Sequence, residues 1–374
     1  MKVLAVFGTR PEAIKMAPVI KSMINVPAFE TKICVTGQHR SMLDQVLSFY
    51  HIVPDYDLNI MASNQTLTSI TNHAMQGLER VFATFHPDWV LVQGDTSTTF
   101  AASLAAFYKQ ISVAHIEAGL RTRNLYSPWP EEINRQLTTR IASLHFAPTE
   151  EAKQNLLAES VTPDNILVTG NTVIDALLET VKYIETHPEV ARRMQSQFPF
   201  LDDKRKLILI TSHRRENFGA GLQHVCEALL QLAERDDVQI IYPVHLNPNV
   251  AGPVNQLLMN KENIYLIEPQ EYLAFVYLMM KAYVILTDSG GVQEEAPSLG
   301  KPVLVARDTT ERPEGIKAGT AKLIGTDTQT IVNDVEELLS GGELYRSMST
   351  AVNPYGDGKA AQRIVERLQR EFKH

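Results

Sequence analysis

Short apolar segments that are hydrophobic on both faces recur along the chain and are separated by amphipathic helical patterns. The segments 3–7 and 207–211 show no alternation of polar and apolar residues, as is typical of parallel strands covered by helices on both sides. Helical periodicity fills stretches such as 67–85 and 222–232. This alternation predicts βαβ units and an α/β fold with doubly wound parallel sheets. The predicted strands are 3–7, 32–36, 89–93, 112–116, 144–147 and 166–169, then 207–211, 239–244, 264–267, 283–287, 302–305 and 322–324.

The alternation pauses once, over residues 181–203, before sheet building restarts at Leu207. A chain of 374 residues is long enough for two domains. We therefore expect two Rossmann-like halves, a junction in this stretch and a cleft between the halves. The stretch 356–374 predicts a terminal amphipathic helix.

Composition narrows the class of protein. Apolar residues make up 44% and charged residues 21% of the chain, as in globular proteins. The net charge of −8 argues against nucleic acid or an anionic membrane as the main partner. No apolar run reaches the ~20 residues that span a bilayer, and no secretory leader is evident, so we expect a cytoplasmic protein. Cys34 and Cys226 belong to no CxxC spacing and are expected to be reduced core thiols.

Charged and small residues follow the predicted strands in both halves. Ligands of open parallel sheets bind beyond the carboxyl ends of the strands, so this pattern predicts an enzyme with a polar, phosphorylated substrate. No histidine spacing typical of a metal site, no GxGxxG after a strand and no GxxxxGK[ST] occurs, so we expect no metal, no nicotinamide cofactor and no kinase-like nucleotide site. The segments that follow the strands include 8–12, 37–39, 94–97, 117–121, 212–216, 268–270 and 288–291.

Residues 8–12, GTRPE, fit a helix capping box with Thr9 as N-cap and Glu12 three positions later. A cap alone explains neither Gly8 nor Arg10, because a cation opposes the dipole at a helix start. Arg10, with Lys15 about one turn further, therefore indicates an anionic ligand. Solvent exposure is the alternative interpretation of Lys15.

Asp288-Ser289-Gly290-Gly291 follows an apolar strand and precedes a helix. Ser289, Gly290 and Gly291 predict a diphosphate cradle, because two glycines let backbone N–H groups approach a ligand at a helix start. Glu295, one turn into the helix, is placed to accept ribose hydroxyls. A tight strand-to-helix turn without ligand is the alternative.

Three carboxylates, Asp95, Glu117 and Glu131, lie at strand or helix ends of the first half. Facing one cleft, they could serve as acids and bases. His213, flanked by arginines at a strand end, could neutralise a leaving phosphate. The alternative for Glu131 is an acid stabilised by the helix dipole, and we give Glu132 that interpretation.

Long motifs resemble a known family, the bacterial non-hydrolysing UDP-N-acetylglucosamine 2-epimerases. They are FGTRPEAIKMAP (7–18), GDTSTTFAASLAAFY (94–108), HIEAGLRT (115–122), SPWPEEINR (127–135), VTGNTVIDAL (168–177), TSHRREN (211–217), YPVHLNP (242–248), TDSGGVQEEAPSLGKPVLVARDTTERPEG (287–315) and NPYGDGKA (353–360). The resemblance implies a GT-B fold with an N-terminal domain 1–170, joined by the terminal helix 356–374, and a UDP-binding domain 171–355. It also implies a homodimer.

The activity implied is reversible epimerisation of UDP-GlcNAc to UDP-ManNAc at C2, through loss of UDP to 2-acetamidoglucal and its re-addition, without a metal or nicotinamide. A hydrolysing epimerase, a GT-B glycosyltransferase and a sensor that binds the nucleotide sugar without reacting are the alternatives. Carried over from the family, the catalytic residues would be the acid–base set Asp95, Glu117 and Glu131, with His213 assisting the departing UDP. The substrate contacts would add Arg10, Lys15, Gln270, Phe275, Ser289, Gly290, Gly291, Glu295 and Arg312. An allosteric set would be Gln38, His39, Arg214 and His245.

Overall fold

The computed structural model describes residues 1–37, 40–62 and 65–371. The chain forms two compact units, Met1–Ala176 with the chain from Tyr355 onward, and Leu177–Pro354. The first boundary between the two units therefore falls after Ala176, inside the helix Thr172–Thr186. The stretch 181–203 lies wholly in the second unit, because the pause in sheet building is filled by two helices rather than by a linker.

The first unit is built on a seven-stranded sheet in the order β3-β2-β1-β4-β5-β6-β7, and every pair in it is parallel. Its strands are β1 Lys2–Phe7, β2 Glu30–Val35, β3 Tyr56–Asp57, β4 Trp89–Gln93, β5 Ser112–Ile116, β6 Leu144–Ala147 and β7 Ile166–Val168. Its helices are α1 Arg10–Ile24, α2 Arg40–Phe49, α3 Leu67–Phe85, α4 Ser97–Tyr108, α5 Glu131–Ile141, α6 Glu150–Ala158 and the start of α7 Thr172–Thr186.

The second unit has a six-stranded sheet in the order β10-β9-β8-β11-β12-β13, again parallel throughout. The strands are β8 Lys206–Thr211, β9 Val238–Pro243, β10 Ile264–Ile267, β11 Val284–Thr287, β12 Val303–Val305 and β13 Ala321–Leu323. The helices are the rest of α7, α8 Pro188–Gln197, α9 Ala220–Leu232, α10 Pro248–Leu258, α11 Tyr272–Lys281, α12 Gly290–Glu295, α13 Pro313–Lys317, α14 Thr328–Leu339 and α15 Glu343–Thr350. The expected fold class, two doubly wound parallel-sheet domains, is confirmed.

The terminal helix α16, Ala360–Glu371, packs on α1 of the first unit. Its start is capped by Asp175 of α7, whose carboxylate accepts the backbone N–H groups of Ala360 at 3.2 Å and Ala361 at 2.9 Å. The sequence placed the helix over 356–374, whereas the described helix begins four residues later, after a turn in which Gly356 and Gly358 adopt positive φ.

Cys34 and Cys226 are free and buried, as predicted, and burial raises the pKa of each thiol to about 12. Among the described residues, no helix is both long and apolar enough to cross a membrane. The described part of the chain also holds no group of three or more histidine, cysteine or acidic side chains placed to bind a metal ion.

Candidate active site

The turn after β1 is organised by Glu12, which is 2% exposed. The predicted capping box forms: Glu12 accepts hydrogen bonds from the backbone N–H groups of Gly8 at 2.9 Å and Thr9 at 2.8 Å. Its other oxygen accepts the hydroxyls of Thr96 at 2.6 Å and Thr99 at 3.1 Å. Glu12 thus joins this turn to the turn after β4.

Gly8, which the cap left unexplained, is required by packing. A Cβ atom there would lie 2.0 Å from Oγ1 of Thr36 and 2.7 Å from Oγ1 of Thr98. These two hydroxyls share a buried hydrogen bond of 2.9 Å. The strand ends of β1, β2 and β4 therefore meet at a point that admits no side chain.

Glu117, at the end of β5, is 9% exposed and adopts φ of 63°. One carboxylate oxygen accepts from Lys15 and from Nδ2 of Asn171 at 2.8 Å. The other accepts from Nε2 of Gln93 at 2.5 Å. Two of the predicted site residues, Lys15 and Glu117, therefore form an ion pair. The donors favour the ionised carboxylate.

Two side chains of helix α5 donate hydrogen bonds to Asp95. Nη2 of Arg135 donates to its carboxylate at 2.5 Å, and Nδ2 of Asn134 donates to its backbone oxygen at 3.0 Å. Arg135 also pairs with Glu132 at 3.2 Å. Burial opposes ionisation of Glu132, yet hydrogen bonds from the backbone of Thr122 and other donors outweigh it and lower its pKa. Glu132 is thus a fully buried anchor of this network and not a simple helix-start acid.

Glu131 opens α5 and is half-buried. Its side chain makes no hydrogen bond or ion pair with the residues that the structure describes. It is carried by the helix that holds Arg135, so it belongs to the same unit as Asp95 and Glu117. Arg10 is the first residue of α1, at the end of β1.

In the second unit, the fully buried Asp288 organises the turn after β8. Its carboxylate accepts from the backbone N–H groups of His213 at 2.8 Å and Arg214 at 2.9 Å, and from the hydroxyl of Ser212 at 3.0 Å. Nδ1 of His213 lies 3.3 Å from Asp288. Burial lowers the pKa of His213, although Asp288 opposes the shift, so the imidazole is neutral at pH 7 without ligand.

Ser289 precedes α12, and Gly290 and Gly291 form its start. A Cβ atom on Gly290 would lie 3.6 Å from Nη2 of Arg214 and 3.8 Å from Cζ of Arg312. Arg312 is anchored by an ion pair with Glu294. Two guanidinium groups therefore lie beside the predicted diphosphate cradle.

Glu295, at the end of α12, is 7% exposed and accepts the hydroxyl of Tyr272 at 2.8 Å. Tyr272 begins α11, which also carries the half-buried Phe275. Gln270 precedes this helix and accepts from Nε2 of Gln197 at 2.9 Å. The residues predicted for uracil and ribose thus lie on adjoining elements of the second unit.

Of the four predicted allosteric residues, Gln38 and His39 lie outside the described residues. His245 is exposed, and its ring stacks on His213 with the centroids 5.6 Å apart. Arg214 donates to Glu311 at 2.8 Å. The sequence analysis missed several residues that contact the predicted set, among them Gln93, Asn171, Tyr272 and Glu311. Of these four, Asn171 and Glu311 lie in motifs quoted there and Gln93 borders one.

Known proteins resemble the chain over its full length. The sequence model of the UDP-N-acetylglucosamine 2-epimerase family matches residues 21–369. A UDP-N-acetylglucosamine 2-epimerase of Salmonella typhimurium is 59% identical, covering 99% of this chain and 98% of the relative. The crystal structure of UDP-GlcNAc 2-epimerase from Neisseria meningitidis bound to UDP-GlcNAc has a TM-score of 0.93 and 56% identity, covering 99% of this chain and 100% of that one. The Methanocaldococcus jannaschii enzyme in complex with UDP-GlcNAc and UDP has a TM-score of 0.81 and 36% identity, covering 99% and 100%. The chain belongs to the UDP-N-acetylglucosamine 2-epimerase family.

Proposed function

We propose that this protein is an isomerase that interconverts UDP-GlcNAc and UDP-ManNAc by inverting C2 of the sugar. The observation that carries the proposal is the buried Glu117 carboxylate, which Lys15, Gln93 and Asn171 hold at a strand end. Residues 21–369 of this chain match the family model. A carboxylate fixed in this way suits proton transfer or stabilisation of positive charge on a sugar.

The reaction proceeds by elimination and re-addition. The C1–O bond breaks first, and UDP leaves with the bonding electron pair. A carboxylate then takes the proton from C2, which gives 2-acetamidoglucal. Protonation of C2 on the opposite face and attack of UDP on C1 complete the inversion. Loss of UDP leads because the acetamido group stabilises a C2 carbanion poorly.

The two units supply different chemistry. Asp95, Glu117 and Glu131 of the first unit form the acid–base set, and Arg10 and Lys15 bind the phosphate and sugar. The second unit supplies Gln270 and Phe275 for uracil, Ser289, Gly290 and Gly291 for the diphosphate, Glu295 for ribose and Arg312 over the phosphates. A diphosphate beside His213 favours its imidazolium form, which stabilises the departing UDP.

The test is incubation with UDP-GlcNAc in D₂O, followed by NMR of the products. We expect UDP-ManNAc with deuterium at C2 and activity that EDTA does not abolish. Hydrogen retained at C2 contradicts the mechanism. Free ManNAc with UDP identifies a hydrolysing epimerase, an unchanged C2 with transfer to an acceptor identifies a glycosyltransferase, and no product identifies a sensor.

We also propose that UDP-GlcNAc activates the enzyme through the set Gln38, His39, Arg214 and His245, and that the protein is a cytoplasmic homodimer. Sedimentation equilibrium tests the dimer. For activation, UDP-ManNAc alone should react slowly and a trace of UDP-GlcNAc should restore the rate. Full activity on UDP-ManNAc alone contradicts activation.

A further inference from the structure

Glu311 is surrounded by arginines in the loop between β12 and α13. Its carboxylate accepts from Nη2 of Arg214 at 2.8 Å and Nη1 of Arg307 at 2.6 Å, and its backbone oxygen accepts from Nη1 of Arg312 at 3.2 Å. Burial raises the pKa of Glu311, but the three guanidinium groups outweigh burial and lower it to about 2. The carboxyl group is therefore ionised at neutral pH.

This anion lies where the proposed function places another anion. Oε1 of Glu311 would lie 3.3 Å from a Cβ atom on Gly290, in the cradle proposed for the diphosphate. The same oxygen accepts from Arg214, whose Nη2 would lie 3.6 Å from that Cβ. A carboxylate and a diphosphate at contact distance repel each other strongly in a partly buried site.

We propose that Glu311 is an internal counter-ion of Arg214, and that the diphosphate must displace Glu311 from this guanidinium in order to bind. The proposal rests on the proposed function. Glu311 acts on UDP through Arg214, so it is a positioning residue. Its native charge weakens UDP binding and speeds UDP release.

The ion pairs of Arg307 show how Glu311 can release Arg214 and still keep a partner in the protein. Arg307 donates to Glu311 through Nη1 and to Glu216 through Nε at 2.5 Å, and its side chain is 7% exposed. Arg307 thus keeps a carboxylate partner on each side and can retain Glu311 when Arg214 turns to the diphosphate. Nothing in this arrangement requires a rearrangement of the strands.

The experiment measures UDP and uridine binding to the full-length wild type, E311Q and E216Q by calorimetry. E311Q preserves shape and removes the charge, so its Kd for UDP should fall about fivefold to tenfold, and the gain should shrink at high salt. Uridine carries no phosphate, so its affinity should stay unchanged. E216Q removes the other carboxylate partner of Arg307, and Glu216 is not among the three side chains nearest to a Cβ atom on Gly290. This variant should bind UDP as the wild type does.

Turnover supplies a second measurement. In E311Q the KM for UDP-GlcNAc should fall together with kcat, because the product UDP-ManNAc carries the same diphosphate and is released more slowly when that group binds more tightly. A purely structural tie of the loop would instead raise KM. If E311Q does not fold, E311S removes the same charge and leaves room for water around the arginines.

Unchanged or weaker UDP binding in a folded E311Q contradicts the counter-ion role of Glu311. An equal gain in affinity for uridine contradicts it as well. A wild type that epimerises UDP-GlcNAc while E311Q shows no gain overturns the counter-ion alone. A wild type that neither binds UDP nor epimerises UDP-GlcNAc overturns the proposed function as well.

Discussion

Glu117 combines a costly backbone conformation with a fully engaged side chain. Its φ of 63° is in the left-handed region, which costs a residue other than glycine about 1–2 kcal/mol. The cost is offset by the three donors, Lys15, Gln93 and Asn171, that hold the carboxylate. Conformations of this kind persist where surrounding structure fixes them and are common at active sites, which supports the role proposed for Glu117.

Replacing each proposed acid–base carboxylate by its amide should slow the reaction without abolishing binding. For Asp95→Asn, Glu117→Gln and Glu131→Gln we expect kcat to fall by ~10²–10⁴, the usual contribution of a general acid or base. KM should change less, because most of the proposed UDP contacts lie in the other unit. Steady-state kinetics measures both, and some variants should release UDP and 2-acetamidoglucal. The control is the exposed Glu150→Gln; near-wild-type kcat in all three test variants contradicts the assignment.

Tyr272 orients Glu295, so Tyr272→Phe should weaken UDP binding while leaving the chemical step intact. The variant removes the 2.8 Å hydrogen bond and little packing. We expect the Kd for UDP to rise about threefold to tenfold, as for the loss of one hydrogen bond to a charged group, with kcat nearly unchanged. Tyr277→Phe, on the same helix α11 and also buried, is the matched control. Equal UDP affinity in wild type and Tyr272→Phe contradicts a ribose role for Glu295.

At the scale of elements, the sequence predicted the strands well because parallel strands buried on both faces leave an unmistakable apolar run. All twelve predicted strands form, with ends that differ by at most two residues. β3, Tyr56–Asp57, was missed because two residues carry no periodicity. The helical periodicity of the sequence continues over residues 133–144 and so runs into β6, whereas α5 ends at Ile141 because Ala142 is extended.

Sequence reasoning found residues of the candidate site most directly where a residue follows its own strand. In the first sheet the turns after β1, β4 and β5 carry Arg10, Asp95 and Glu117 at its carboxyl edge, and in the second sheet the turns after β8 and β11 carry His213 and Ser289 at the corresponding edge. Asn171 and Glu311 contact the site through long-range packing and carry no local pattern. Their partners could be found only from coordinates.

The terminal helix α16 should depend on Asp175 for its attachment to the first unit. Asp175→Ala leaves two buried N–H groups without a partner, and loss of a helix cap costs about 0.5–2 kcal/mol. Asp357→Asn, which weakens an exposed ion pair with Arg363 at 2.7 Å, should cost less than about 0.5 kcal/mol. Urea unfolding followed by tryptophan fluorescence measures both variants. Equal stability of Asp175→Ala and Asp357→Asn contradicts the capping role.

At the scale of the whole molecule, each unit has its own sheet and its own apolar core. Two-unit chains often unfold in more than one step. Both tryptophans of the chain, Trp89 and Trp129, belong to the first unit, so tryptophan fluorescence reports on that unit alone. Calorimetry reports on both units.

UDP should therefore stabilise the second unit more than the first. The proposed uracil and ribose contacts and most of the proposed diphosphate contacts belong to the second unit, and a ligand that binds only folded protein adds about 2.7 kcal/mol of stability at 100 times its Kd. Adding UDP should raise the calorimetric transition of the second unit by several degrees while the fluorescence midpoint moves little. Glu295→Gln, with its weaker ribose contact, should show a smaller shift at the same UDP concentration, because the shift depends on occupancy. A fluorescence midpoint that rises as far as the calorimetric one would place the main UDP contacts in the first unit, or show that the two units unfold together.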